Sequence, residues 1–187
     1  GATGATGPAG ATPFGFTSGL YYRGNGPSSQ GAPSVLNQTC YVPFNVDKTN
    51  TFDRIAIETG VTYMGTGSVR LGIYNNDSAT GKPSTVVLDA GTVATTAASS
   101  IYEITISQSL SVGNYWIAFN AQTLASTPNY RQVSPSTVTA TNYVVSTTGG
   151  VTSNAGHWLE AGVSGAFATA GTLTSTGFVG TATLRST

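Results

Sequence analysis

The chain is 187 residues long, which suits a single all-β domain, and its 39% hydrophobic content is enough for a core. Charged residues make up only 7%, against about 25% in an average soluble protein, so the surface must be polar yet largely uncharged. Seven basic residues balance seven acidic ones, and being scattered singly they offer neither the basic stripe that releases counterions from nucleic acid nor the Lys/Arg-rich face of a membrane-surface helix; neither nucleic-acid binding nor membrane insertion is expected.

The first twelve residues read "GATGATGPAGAT", with Gly1, Gly4, Gly7 and Gly10 in a strict period of three. Glycine at every third position is what three chains sharing a collagen axis require, because only Gly fits there, and Pro8 suits the extended left-handed conformation. We therefore expect a homotrimer, with residues 1–13 as the end of a collagen-like stalk and 14–187 as its head. The stretch is short, about 37 Å at 3.1 Å per residue, so a longer stalk or a trimeric head has to hold it. No apolar run long enough to span a bilayer and no signal segment is present. The chain opens on Gly rather than Met, and a fragment or processed product is expected.

Residues 14–39, with "FGFTSGLYYRGNGPSSQGAPS", are dense in Gly, Ser and Pro and read as an irregular, linker-like lead-in; Tyr21 and Tyr22 within it suggest that part of it packs on the head. Cys40, the single thiol, excludes an intrachain disulfide and reads as a small buried hydrophobe. From there short strands alternate with turns. In "FDRIAIE", Ile55 and Ile57 oppose Arg54 and Glu58; in "SVRLGIYN", Val69, Leu71 and Ile73 oppose Arg70, Gly72 and Tyr74; in "IYEITIS", Tyr102, Ile104 and Ile106 oppose Glu103 and Thr105. This period of two predicts half-buried strands. "NNDSATGKP" and "SQSLSVGN" supply turn chemistry between them. No segment carries a convincing helical period, so two antiparallel sheets packed face to face, in a jelly-roll-like β-sandwich, are predicted.

"NYWIAFNA" differs, with Tyr115, Ile117 and Phe119 on one face and Trp116 and Ala118 on the other, so both faces ought to be covered. The opposing sheet covers one. A neighbouring subunit is expected to cover the other, which agrees with the trimer that the glycine period implies.

The blocks "CYVPFNVDKTNTFDRIAIETG", "GSVRLGIYNNDSATGKPSTVVLDAGTV" and "GNYWIAFNAQ", with the closing "SGAFATAGTLTSTGFVGTATLR", resemble a head domain of bacteriophage fibres and spikes, from about Leu20 to Arg185. That resemblance implies a trimeric β-sandwich in a virion, in contact with other virion structural proteins and located on the particle surface; it maps no known catalytic or ligand-binding residue onto this chain. The opening tract also looks like the stalks of bacterial spore-surface collagen-like glycoproteins, whose heads are trimeric jelly rolls.

Catalytic chemistry is sparse. His157, in "NAGHWLEAG", is the sole imidazole and reads as a strand residue beside Trp158; no G-x-S-x-G elbow exists, "GVSGA" at 162–166 being only a near-match. One His and one Cys make no zinc site, and Asn75, Asn76 and Asp77 lack the acidic density of a calcium loop. The seven carboxylates read as structural rather than as a glycosidase pair. No enzyme, metal or cofactor is expected. A fibre head that adheres to a bacterial surface glycan would pair an exposed aromatic platform with amide or carboxylate hydrogen-bonding groups. The candidates are Tyr63, Tyr74 beside Asn75, Asn76 and Asp77, and Tyr130 with Arg131, each weighed against the alternative of a buried tyrosine with a hydrogen-bonded hydroxyl. Other readings are a structural decoration protein of a capsid or tail that binds no ligand, a bacterial surface collagen-like protein with a trimeric jelly-roll head, and an enzyme that trims surface polysaccharide.

Overall fold

The computed structural model describes residues 15–23, 28–29, 35–133, 157–176, 179–180 and 182–187. The glycines of the expected stalk, Gly1, Gly4, Gly7 and Gly10, lie outside them. Among the described residues the chain is all strand, in the order β1 (Tyr21–Arg23), β2 (Ser28–Ser29), β3 (Gln38–Val46), β4 (Asn50–Glu58), β5 (Gly67–Asn76), β6 (Pro83–Thr95), β7 (Ile101–Leu110), β8 (Gly113–Thr123), β9 (Gln132–Val133), β10 (His157–Ala161), β11 (Leu173–Thr176), β12 (Val179–Gly180) and β13 (Ala182–Ser186). The three alternating segments read from the sequence fall in β4, β5 and β7. The segment taken as an irregular lead-in contains β1 and β2, because Tyr21–Arg23 finds an edge to pair with on β13; local composition cannot reveal a partner more than 150 residues away.

Two antiparallel sheets form the body, one of four strands in the order β1-β13-β4-β7 and one of six in the order β11-β10-β3-β8-β5-β6, with a small sheet β12-β9-β2 beside them. The pairs β3–β8, β4–β7 and β5–β6 are nested in sequence and alternate between the two large sheets. Short turns at 47–49 and 111–112 carry the chain from one sheet to the other.

Between the sheets lies the main core. Phe52, Ile55, Ile57, Ala182 and Leu184 come from the smaller sheet and meet Val42, Phe44, Val69, Leu71, Ile73, Ile117 and Phe119 from the larger one. Cys40 is buried among them. Phe16, ahead of β1, stacks into this core against Tyr22, Phe44 and Phe52, with ring centroids 4.8 to 6.1 Å apart. That contact pins the start of the described head at the β3–β4 turn, where the Gly15 N–H also donates to Asp47 Oδ2 at 3.2 Å.

The far face of the larger sheet is buried too, and here the structure corrects the sequence reading. Trp116 and Ala118 are not left for a neighbouring subunit: with Tyr41 and Tyr74 they form a second apolar layer closed by Phe167, and Trp116 is only 1% exposed in the single chain. The cover is a strap, residues 162–172, running between β10 and β11. Its backbone is tied down at several points, with Val163 N–H on Asn37 O, Ala170 N–H on Ser84 O, Phe167 N–H on Asp89 Oδ2 and Gly171 N–H on Glu160 Oε1, all between 2.8 and 3.1 Å. The carbonyls of Val163 and Gly165 accept from Asn120 Nδ2 and Gln122 Nε2.

The Phe167 ring sits where the sheet has a hole. Gly72 of β5 pairs with Ala118 of β8, two small residues side by side on the strap-facing surface, flanked by Tyr74 and Arg70. A Cβ at Gly72 would come 2.6 Å from Leu88 O and 2.7 Å from Phe167 Cδ2, too close for either to stand. Glycine inside a strand often marks such a close approach. Gly72→Ala is expected to lower stability by about 2 kcal/mol through overpacking, read as a lower urea midpoint at unchanged slope.

Candidate functional site

The seven residues proposed as a ligand surface do not come together. Tyr63 and Tyr130 are 3% and 1% exposed and pack edge to face, centroids 5.4 Å apart. The Tyr63 hydroxyl donates to Thr95 O at 2.9 Å, and Thr95 Oγ1 lies within hydrogen-bonding distance of both phenols. Burial pushes the Tyr130 phenol well above its ordinary pKa. Tyr74 is 1% exposed under the strap, against Tyr41 and Phe167 at 5.1 and 5.6 Å, and burial, partly offset by the Tyr41 hydrogen bond, pushes its hydroxyl up to about 12. None of these rings is an exposed platform. The physical reason is one a sequence does not show: Tyr63 and Tyr130 pack on one another, and Tyr74 lies on a sheet face that the strap covers.

The polar neighbours of Tyr74 serve the hairpin. Asp77 Oδ1 accepts the N–H groups of Ala79 and Thr80 at 2.8 and 3.3 Å, closing the β5–β6 turn, and those bonds hold its carboxyl below the usual range. Asn76 Oδ1 accepts the Trp116 indole N–H at 2.9 Å, and Asn75 Nδ2 donates to Thr85 Oγ1 at 3.0 Å. Of the seven, Arg131 lines a cleft.

That cleft, of about 190 Å³, lies on the outer face of the four-stranded sheet and is lined by Tyr21, Arg23, Ala56, Ile57, Glu58, Ile101, Arg131 and Thr183. Register explains its shape. Across the sheet, Arg23, Thr183, Ala56 and Glu103 form one row and Tyr21, Arg185, Arg54 and Thr105 the next. The small Thr183 and Ala56 in mid-row leave a trough between larger neighbours. Ile101, 63% exposed, forms an apolar ledge opposite Glu58, and Tyr21 is 40% exposed.

Half of the chain's charged residues meet on this face: Arg23, Arg54, Arg131 and Arg185 with Asp53, Glu58 and Glu103. Alternation accounts for Arg54, Glu58 and Glu103. Asp53 is there because of a bulge. Relative to β13, β4 carries one extra residue between Phe52 and Arg54, so the adjacent Asp53 and Arg54 are both half-exposed while Phe52 and Ile55 stay buried. Asp53 then receives both Nε and Nη2 of Arg185, at 2.9 and 2.6 Å. The Arg185 guanidinium holds the Asp53 carboxyl below its ordinary range, and the carboxylate raises Arg185 in turn. Arg185 also lies over the Tyr21 ring at 5.8 Å, and the Tyr21 hydroxyl donates to Glu103. Arg131 Nε donates to Glu58 Oε1 at 2.8 Å, with its backbone N–H on Glu58 O. Exposed pairs of this kind add little to stability; their effect is to set the trough's walls in place.

Sequence reasoning therefore missed Tyr21, Arg23, Glu58 and Ile101. A usable signal was present for Glu58, on the polar face of β4, but the convergence depends on β4 pairing with both β7 and β13, which no local pattern records. His157 is a buried strand residue in β10 and Trp158 is half-buried beneath the Lys82 ammonium at 4.6 Å. Among the described residues no three His, Cys, Asp or Glu side chains gather as a metal site would, and no helix is long and apolar enough to cross a membrane.

Fold and site together define an all-β protein of antiparallel sheets that carries a charged, aromatic-edged trough on one sheet face. No family model, no curated protein and no solved structure matches the chain.

Proposed function

We propose that this chain is the adhesive head of a virion fibre, binding a carbohydrate of the bacterial surface in the trough of the four-stranded sheet. The observation that carries the reading is the composition of that trough: an exposed tyrosine, an apolar ledge at Ile101 and fixed charged groups, which is how a protein grips a ring with apolar faces and a rim of hydroxyls. Its position agrees. The described head starts at Gly15, beside the β3–β4 turn, whereas the trough lies toward Glu58 at the other end of β4, about 27 Å away at roughly 3.3 Å per strand residue. A stalk leading into Gly15 would hold the trough away from the particle. The nested strand pairs support a jelly-roll-like head, and the sequence resemblance to phage fibre heads favours the same setting. The trimer is proposed on the glycine period alone, since the strap has taken over the role first given to a neighbouring subunit. Three copies would turn a weak site into firm attachment by raising the effective concentration of the second and third contacts.

The test is binding of the purified protein to bacterial cells, competed by isolated surface polysaccharide. Tyr21→Ala and Arg131→Ala are each expected to weaken adhesion at least tenfold with little change in thermal midpoint, and Tyr63→Phe to leave it unchanged. A second reading, a structural decoration protein, has its own support: Val35, Leu36, Val61, Met64 and Leu124 are all exposed and lie at the end where β4 and β8 finish. Tight binding to a capsid or tail protein with no adhesion to cells would favour it.

A further inference from the structure

The charges of the trough do not cancel, and the residue left over is in the cleft itself. Asp53 lies between Arg185 and Arg54, at 2.6 and 3.7 Å, and Glu58 is held by Arg131. Glu103 accepts the Tyr21 hydroxyl. Arg23 is exposed, lines the cleft, and makes no ion pair among the described residues. Asp53 takes two of the four guanidinium groups and Glu58 a third, so among the described residues Arg23 is the one left without a carboxylate partner, at the edge of a trough whose floor is Thr183 and Ala56 and at the opposite end of its row from Glu103.

On this basis we infer that the ligand is an acidic saccharide, and that Arg23 binds its carboxylate; the inference rests on the carbohydrate reading above and narrows it. A guanidinium presents paired N–H groups in a planar fork that matches a carboxylate. One guanidinium without an ion-pair partner calls for one carboxylate. Glu58 and Glu103 nearby oppose a dianion such as a phosphomonoester, because each added charge meets them as well as Arg23. The cleft, at about 190 Å³, is smaller than the roughly 300–1,000 Å³ pockets that enclose a drug-sized ligand. It matches one sugar residue of a polymer lying across the sheet, its carboxylate toward Arg23 and its apolar face on the Ile101 ledge. Because Arg23 is exposed, the attraction is screened by salt.

The experiment uses the full chain and a panel of immobilised bacterial polysaccharides bearing uronate, sialate or pyruvyl carboxylates, each paired with its carboxyl-reduced, neutral counterpart, together with neutral polysaccharides and a polyglycerol-phosphate teichoic acid. At least one acidic polymer is expected to bind, to lose at least tenfold in affinity on carboxyl reduction, and to weaken as salt is raised from 50 to about 500 mM. Arg23→Ala should reproduce that loss and Arg23→Lys restore part of it, both with an unchanged thermal midpoint. Equal binding of acidic and reduced forms, or no effect of Arg23→Ala, overturns the assignment of Arg23 while leaving carbohydrate adhesion standing. Preference for the teichoic acid or for neutral polymers overturns the carboxylate. Failure to bind any saccharide overturns this inference and the adhesion reading together.

Discussion

Phe167→Ala is expected to destabilise the protein by about 4 kcal/mol, within the usual 3–5 kcal/mol for deleting a buried Phe ring. The ring is the one buried side chain of the strap, filling the hole over Gly72 and Ala118 against Tyr74, with Val163 and Ala170 packed half-buried against the same cluster. Where the surrounding side chains relax only partly, a cavity persists and its cost adds to the lost transfer energy. For a domain of this size the change corresponds to a fall of about 10 °C in thermal midpoint. Trp116 lies in the same cluster, so its emission should shift to the red as water reaches it. Phe167→Leu, which keeps much of the volume, should recover more than half of the loss. A Phe167→Ala protein within 1 kcal/mol of wild type would show that the strap does not close this face.

Asp89→Ala should cost about 3 kcal/mol, because the carboxylate joins sheet to strap. Its Oδ1 accepts Arg70 Nε at 2.8 Å and the Gly91 N–H at 3.1 Å; its Oδ2 accepts Arg70 Nη2 at 2.9 Å and the Phe167 N–H at 3.1 Å. Both partners of the ion pair are largely covered, Arg70 lying 5.9 Å from the Phe167 ring centroid. Removing the acid leaves a guanidinium and two N–H groups under the strap without their acceptor. Breaking a fully buried pair costs about 3–5 kcal/mol, and partial solvation places this one at the low end. The contribution depends on pH in a definite direction. Burial raises the Asp89 carboxyl, but the hydrogen bonds from Arg70, Gly91 and Phe167 outweigh it, so the folded value lies below the ordinary 3.8. The stabilisation is complete above that ordinary value and is lost as pH falls through the lowered one. Denaturant titrations should therefore show wild type and Asp89→Asn well separated near neutrality and converging in acid. Convergence at alkaline pH instead would contradict the assignment. Since Asp89 and Phe167 hold the same strap, the double variant Asp89→Ala with Phe167→Ala should lose less than the two single losses combined.

Much of the architecture was legible one strand at a time. The alternation in 52–58, 69–74 and 102–106 specified strands and the faces they turn to the main core, because the side-chain period of a strand is two wherever one face meets a core; it read 69–74 as half-buried, whereas Gly72 and Tyr74 on its other face are buried too, beneath the strap. The doubled apolar face of "NYWIAFNA" correctly announced a strand covered on both sides. The turn after β5 was legible from "NNDSATGKP", since the Asp77 side chain closes its own backbone locally, although Asn75 and Asn76 belong to the strand itself. What covers Trp116 was not legible: the strap at 162–172 is glycine-rich and has no period, and only the folded chain brings Phe167 over Gly72.

The trough shows the same division more sharply. Composition determined that charge would be scarce, and alternation determined that Arg54, Glu58 and Glu103 would face away from the core. Pairing of β1 with β13, of β13 with β4 and of β4 with β7 decided that Arg23, Arg185 and Tyr21 would join them, and a single extra residue at Asp53 decided that its carboxylate would meet Arg185 rather than the core. Periodicity is a property of neighbours along the chain, and so it can be read from them. Register between strands as distant as 21–23 and 182–186 is set by the packing of the whole sheet, and a site built across that register exists only once the sheet has formed.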